Sequence, residues 1–228
     1  RDWSSDVCSS DLYPVEGDNT NDYFSATEIS WAVKYFLDAL YYKNKADFNK
    51  SAPLFMDTID KTDGRYRELL QIIEHTCPRG GDNRILDVGC GKGRYLRNLL
   101  EDRPNDHLYG VDISKSVIEE KTEQKIHWQE GSLTNIPFGD AFFDVVYACE
   151  SLEHAIDIEC AVREMARVTK PGGRIVVIDK NAVALGSLEI TPWEQWFDEE
   201  GLADMMRPFC HDTTTRSEER RVGKECRS

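Results

Sequence analysis

Ile85-Leu86-Asp87-Val88-Gly89-Cys90-Gly91-Lys92-Gly93 constrains this chain more than any other stretch. A short apolar run ends in an acid and three alternating glycines. Arg94-Tyr95-Leu96-Arg97-Asn98-Leu99-Leu100 then follows with helical periodicity. The pattern predicts a buried strand that turns sharply into a helix. Glycines there let the backbone approach a ligand with no Cβ in the way, and the free N–H groups of the helix start face the same opening. A second apolar run, His107-Leu108-Tyr109-Gly110-Val111, ends in Asp112, an acid suited to holding two ribose hydroxyls. The pair reads as a nucleoside-binding βαβ unit.

Glycine spacing separates the candidate cofactors. A dinucleotide fingerprint reads G-x-G-x-x-G and rests a diphosphate on the helix N-terminus. Here Gly89, Gly91 and Gly93 alternate behind Asp87. A carboxylate beside the loop is poorly placed for a diphosphate and well placed for a cationic amino acid moiety. This form resembles motif I of the class I S-adenosylmethionine (SAM)-dependent methyltransferases, and Val111-Asp112-Ile113-Ser114 resembles their acidic second motif. Further segments follow in the family's order. Ile136-Pro137-Phe138 through Phe143-Asp144-Val145-Val146 resembles the run into its fourth strand. Ser151-Leu152-Glu153-His154 matches the LEH turn of the ubiquinone- and menaquinone-biosynthesis-like branch. Cys160 to Gly173 reads as a helix and a loop leading to strand five. The resemblance spans Arg84 to Asp179 and says much about the cofactor and little about the acceptor.

The resemblance implies roles residue by residue. Asp87, Gly89, Gly91 and Gly93 would floor the methionine part of SAM, with Cys90 as a small filler in the same loop. Asp112 would accept from the ribose hydroxyls, or else serve only as a helix N-terminal acid. Ile113 would lie against the adenine, with Ser132 and Leu133 at its edge, and Glu150 follows strand four near the methyl-transfer site. His154 is the catalytic candidate, a base for a hydroxyl nucleophile; its alternative is a structural histidine capping the next helix. Methyl transfer from a sulfonium needs positioning above all, so a base is not always required. Glu153 reads as a solvated neighbour. Cys149 as a nucleophile is disfavoured.

The expected fold is α/β: a Rossmann-like, mainly parallel sheet flanked by helices, behind an N-terminal helical extension. Strands are expected at Arg84–Val88, His107–Val111, Lys125–Gln129, Phe143–Ala148 and Arg174–Ile178. Ser25-Ala26-Thr27-Glu28 is a capping box for a helix over Ile29–Tyr42. Phe48, Leu54, Phe55 and Met56 continue a discontinuous helical region, and Asp63-Gly64 introduces a helix that stops near Pro78. Trp31, Tyr35, Phe36, Tyr41, Tyr42, Trp193, Trp196 and Phe197 either cover a small substrate or, the weightier reading, pack helices onto the core.

The two ends read differently. Arg1–Leu12 and Arg216–Ser228 both resemble translated sequencing adapter, so both are set aside from fold reasoning. The organisation expected is an adapter-like 1–12, a helical cap over 13–80, a SAM-binding domain over 81–215 and an adapter-like 216–228. Pro208–Thr213 is expected to begin a sixth strand. Nothing before Arg216 supplies the family's seventh, so the domain reads as truncated.

Composition limits partners. The formal net charge of −14 argues against nucleic acid or an anionic membrane as substrate. No apolar run approaches a membrane span. Five cysteines between the adapter-like ends form no C-x-x-C pair and no metal spacing, which fits reduced thiols in a cytoplasmic protein with no metal. The sequence therefore points to a methyltransferase acting on a small-molecule acceptor, with a catalytically inactive SAM-binding partner as the alternative. An NAD-dependent oxidoreductase is disfavoured by the glycine spacing. An aminopropyltransferase lacks its paired acids here.

Overall fold

The computed structural model describes residues 39–43, 45–119, 123–180, 195 and 197–215. Both adapter-like ends, the capping box with Trp31, Tyr35 and Phe36, and Trp193 and Trp196 lie outside the described residues.

Five strands form one parallel sheet in the order β3-β2-β1-β4-β5: β1 Arg84–Val88, β2 His107–Asp112, β3 Ile126–Glu130, β4 Phe143–Cys149 and β5 Thr169–Ile178. β1 and β4 lie in the middle, which explains their unbroken apolar runs: both of their faces are covered by protein. Alternate residues serve opposite faces. Ile85, Val145 and Tyr147 meet Tyr66, Leu69 and Ile73 of helix α1 (Gly64–Thr76) and Tyr95, Leu96 and Leu99 of α2 (Arg94–Asp102). Leu86, Val88, Val146 and Ala148 instead meet Ala161, Val162 and Met165 of α4 (Ile158–Val168). A short α3 (Lys115–Glu119) links β2 to β3. The sheet is thus the middle of three layers.

Caps fix where the helices begin. Asp63 accepts from Arg65 N at 2.8 Å to start α1, and Asp157 accepts from Cys160 N at 2.9 Å to start α4. β5 begins earlier than its sequence suggests. Its register on β4 skips from Phe143–Thr169 to Val145–Arg174, so residues 170–173 bulge out while the chain is already paired.

The expected sixth strand is not formed. Asp198 caps a helix α5 (Glu199–Met206) through Gly201 N at 2.7 Å, and Leu202, Met205 and Met206 pack on the core beside α4. The N–H groups of Phe209 and Cys210 both donate to Met206 O, at 2.9 and 3.0 Å. Those donors close the helix end, and among the described residues 208–213 pair with no strand. β5 is therefore a sheet edge among the described residues.

Candidate active site

The strand order reverses between β1 and β4, which opens a crevice beyond their carboxyl ends. A cavity of about 350 Å³ occupies it, within the range of small-molecule sites. Its floor is the loop after β1. Gly89 N and Cys90 N donate to Val111 O at 2.8 and 3.0 Å, which ties the loop to β2. Gly91 N donates to Asp112 Oδ2 at 2.8 Å, and Ser114 N to Asp112 Oδ1 at 2.8 Å. Both carboxylate oxygens are thus held by backbone N–H groups, and Asp112 lines the cavity. Asp87, Gly89, Cys90, Gly91, Asp112 and Ile113 line this end of the cavity, with Ser132 and Leu133 beside them.

Two of the three glycines do different work. A Cβ on Gly91 would meet only Phe55 Cδ2 at 3.8 Å, so this glycine leaves the cavity open. Gly93, expected in the cofactor floor, is absent from the cavity lining. It has φ +77, and a Cβ there would sit 2.4 Å from Trp128 Cη2. Its glycine is required by the packing of the Trp128 indole, not by the cavity.

The other end follows β4. Glu150 has φ +53, strained for a residue other than glycine, and lines the cavity. Arg65 Nη1 donates to Glu150 Oε1 at 2.7 Å, and Arg94 Nη2 donates to Oε2. The carboxylate is thus clamped by α1 and α2. Next comes a 3-10 turn, Leu152–His154. His154 lines the cavity with its side chain about a quarter exposed, and the Phe48 ring meets it edge-on at 5.3 Å. Among the described residues the aromatic wall comes from Phe48, Phe55 and Tyr95. Tyr41 and Tyr42 pair with each other, Phe197 packs on the core, and none of these three lines the cavity.

Glu153 corrects the sequence reading. Far from solvated, it is 2% exposed. The turn directs it toward the end of β5, where Lys180 Nζ lies 3.0 Å from Glu153 Oε1. Asp179 accepts from Glu153 N at 3.2 Å and Lys180 N at 2.9 Å. Burial and then the Glu153 charge push the Asp179 carboxyl up to about 7. Cys149 is an inert wall: burial first, then Asp87, push its thiol well up, so little thiolate forms at neutral pH.

Comparison with known proteins identifies the sheet. A methyltransferase domain family model matches residues 86–177. The methyltransferase YcgJ of Bacillus subtilis is 31% identical over 147 residues, 61% of this chain and 56% of that one. The O-methyltransferase cnsE of Penicillium expansum is 37% identical over 110 residues, 45% of this chain and 39% of that one. This chain carries a class I, SAM-dependent methyltransferase domain. It spans about half the length, or less, of these two curated relatives. Among solved structures, the cyclase SpnF shares the domain's fold with a TM-score of 0.59 at 22% identity, over 72% of this chain and 69% of that one. No helix among the domain's described residues is long and apolar enough to cross a membrane.

Three features of the methyltransferase domain escape its motifs: Arg94 on Glu150, the buried Glu153, and the part of the aromatic wall from Phe48 and Phe55. Arg94 directly follows the third glycine, and that adjacency was the one available signal. Phe48 and Phe55 carried only a helical spacing that any packed helix shows.

Proposed function

We propose that this domain binds SAM and moves its methyl group to a nucleophile on a small-molecule acceptor. The observation that carries the reading is one cavity at the sheet's switch point whose wall joins Asp87, Gly91, Asp112, Leu133, Glu150 and His154. The donor set fits the cofactor. The carboxylates of Asp87 and Asp112 at this end suit an ammonium and ribose hydroxyls. When bound, SAM supplies an electrophilic methyl on a sulfonium. Asp112 would accept from the two ribose hydroxyls, while the Gly89–Gly91 backbone and Asp87 receive the methionine end. Ile113 would lie against the adenine, with Ser132 and Leu133 at its edge. Glu150, fixed by Arg65 and Arg94, stands at the methyl end with His154. His154 would take the proton of a hydroxyl acceptor at a ring nitrogen as the oxygen attacks, and the half-closed cavity keeps water from competing.

Calorimetric titration tests the cofactor: SAM and S-adenosylhomocysteine should bind and NAD should not. The reverse order would overturn the reading. Transfer of labelled methyl to a panel of alcohols, phenols and amines then tests the reaction. A second reading is a SAM-binding partner without methyl transfer. It draws support from the cyclase SpnF, because a shared fold does not carry one chemistry. SAM binding with no labelled product from any acceptor would favour it.

A further inference from the structure

The proposed methyl transfer leaves the burial of Glu153 unexplained. Its side chain is 3% exposed, so the carboxylate has given up most of its water. One oxygen is compensated: Lys180 Nζ lies 3.0 Å from Oε1, and His154 Nε2 lies 3.5 Å from the same atom. The other is not. Oε2 is buried and, among the described residues, meets no hydrogen-bond donor. A buried carboxylate oxygen without a donor is costly, and folding alone gives no reason to keep one. Yet Glu153 sits in the cavity wall beside His154, where an acceptor must come.

The surroundings narrow what the missing donor can be. Lys180 already balances the Glu153 charge, so an ammonium would meet Nζ close to the same carboxylate. A carboxylate ligand would meet Glu153 with Asp179 behind it. A neutral hydroxyl meets neither objection. Phe48, Phe55, Ala155 and Ile156 line the same cavity and give the rest of the ligand an apolar bed.

We propose that Glu153 anchors the methyl acceptor by accepting a hydrogen bond from one of its hydroxyls at Oε2, which makes the acceptor an alcohol or phenol with an apolar body. This rests on the reading of the cavity as a methyl-transfer site. Glu153 binds a hydroxyl that is not itself methylated; the proton leaving the reacting hydroxyl goes to His154.

Titration of the full chain, saturated with S-adenosylhomocysteine, decides it. The probes are naphthol, methoxynaphthalene and naphthylmethylamine, which share a ring system and differ in donor and charge. Naphthol should bind about tenfold more tightly than either of the others, the scale of one hydrogen bond to a charged acceptor. Glu153→Leu should erase that preference and leave S-adenosylhomocysteine affinity unchanged. Glu153→Gln keeps the shape should leucine not fold, and should narrow the preference. Equal affinities in the parent chain, or no binding of naphthol, would overturn the anchor, as would a preference that survives both substitutions. Failure of S-adenosylhomocysteine itself to bind is seen before any naphthol is added, and it overturns the methyl-transfer reading together with this one.

Discussion

The two ends of the cavity are built in opposite ways. The end proposed for the cofactor comes largely from one short βαβ stretch, and main-chain hydrogen bonds set its shape: Gly89, Cys90 and Gly91 all donate into the end of β2. The end proposed for the acceptor joins Phe48, Glu150, Glu153, His154, Ile156 and Lys180, which come from separate stretches of sequence and meet through side chains. Main-chain geometry survives side-chain exchange, whereas a wall of side chains changes with each substitution. One scaffold can therefore keep its cofactor while its acceptor varies. The cost of that freedom is visible at the acceptor end, where a strained Glu150 and a buried Glu153 both need cationic partners.

If the two ends are separable, His154→Gln should cost the most and only in turnover. Loss of a general base lowers the rate by about 100-fold or more, while the dissociation constant of SAM stays as it was. A matching loss of SAM affinity would show that the ends act as one site. Full activity would reduce His154 to a structural role on its turn. Asp112→Ala should do the converse. Removing a charged acceptor of ribose hydroxyls should weaken SAM by about 1.5–3 kcal/mol, roughly 10- to 100-fold, with turnover at saturating SAM largely kept. An unchanged dissociation constant in calorimetry would remove Asp112 from the cofactor site.

The same contrast explains what the sequence could reveal. β1 falls on the expected Arg84–Val88, and nine of the ten expected cofactor positions, all but Gly93, line the cavity, because spacing and backbone geometry are local. Gly93 shows the limit of that logic. Its glycine is dictated by Trp128, a residue on another strand, so its position was legible and its reason was not. Glu153 fails for the same cause at larger scale. A Glu beside a His on a turn looks solvated until β5 places Asp179 and Lys180 against it. The expected strand over 208–213 is lost because its first donors are spent on closing α5, a competition that pattern alone does not show.

The buried acids at the acceptor end also predict a pH dependence, the smallest effect of the three. Asp179 has its carboxyl pushed up to about 7 by burial and by Glu153, with Glu150 adding to the rise and the N–H groups of Lys180 and Glu153 opposing it. An aspartate in the unfolded chain titrates near ~3.9. Between these values the folded chain binds more protons than the unfolded one, so the unfolding free energy has a negative slope in pH. Stability is therefore greatest on the acid side of that window and is lost as pH rises through it. The loss between about pH 5 and pH 8 should be about 1–2 kcal/mol. Asp179→Asn removes the titrating group while keeping a carbonyl oxygen for the N–H of Lys180. Urea unfolding at the two pH values should show a flatter dependence in the variant, which should exceed the parent chain at pH 8. Parallel losses in both proteins would place the slope elsewhere and leave the two ends of the cavity alike in their response to protons.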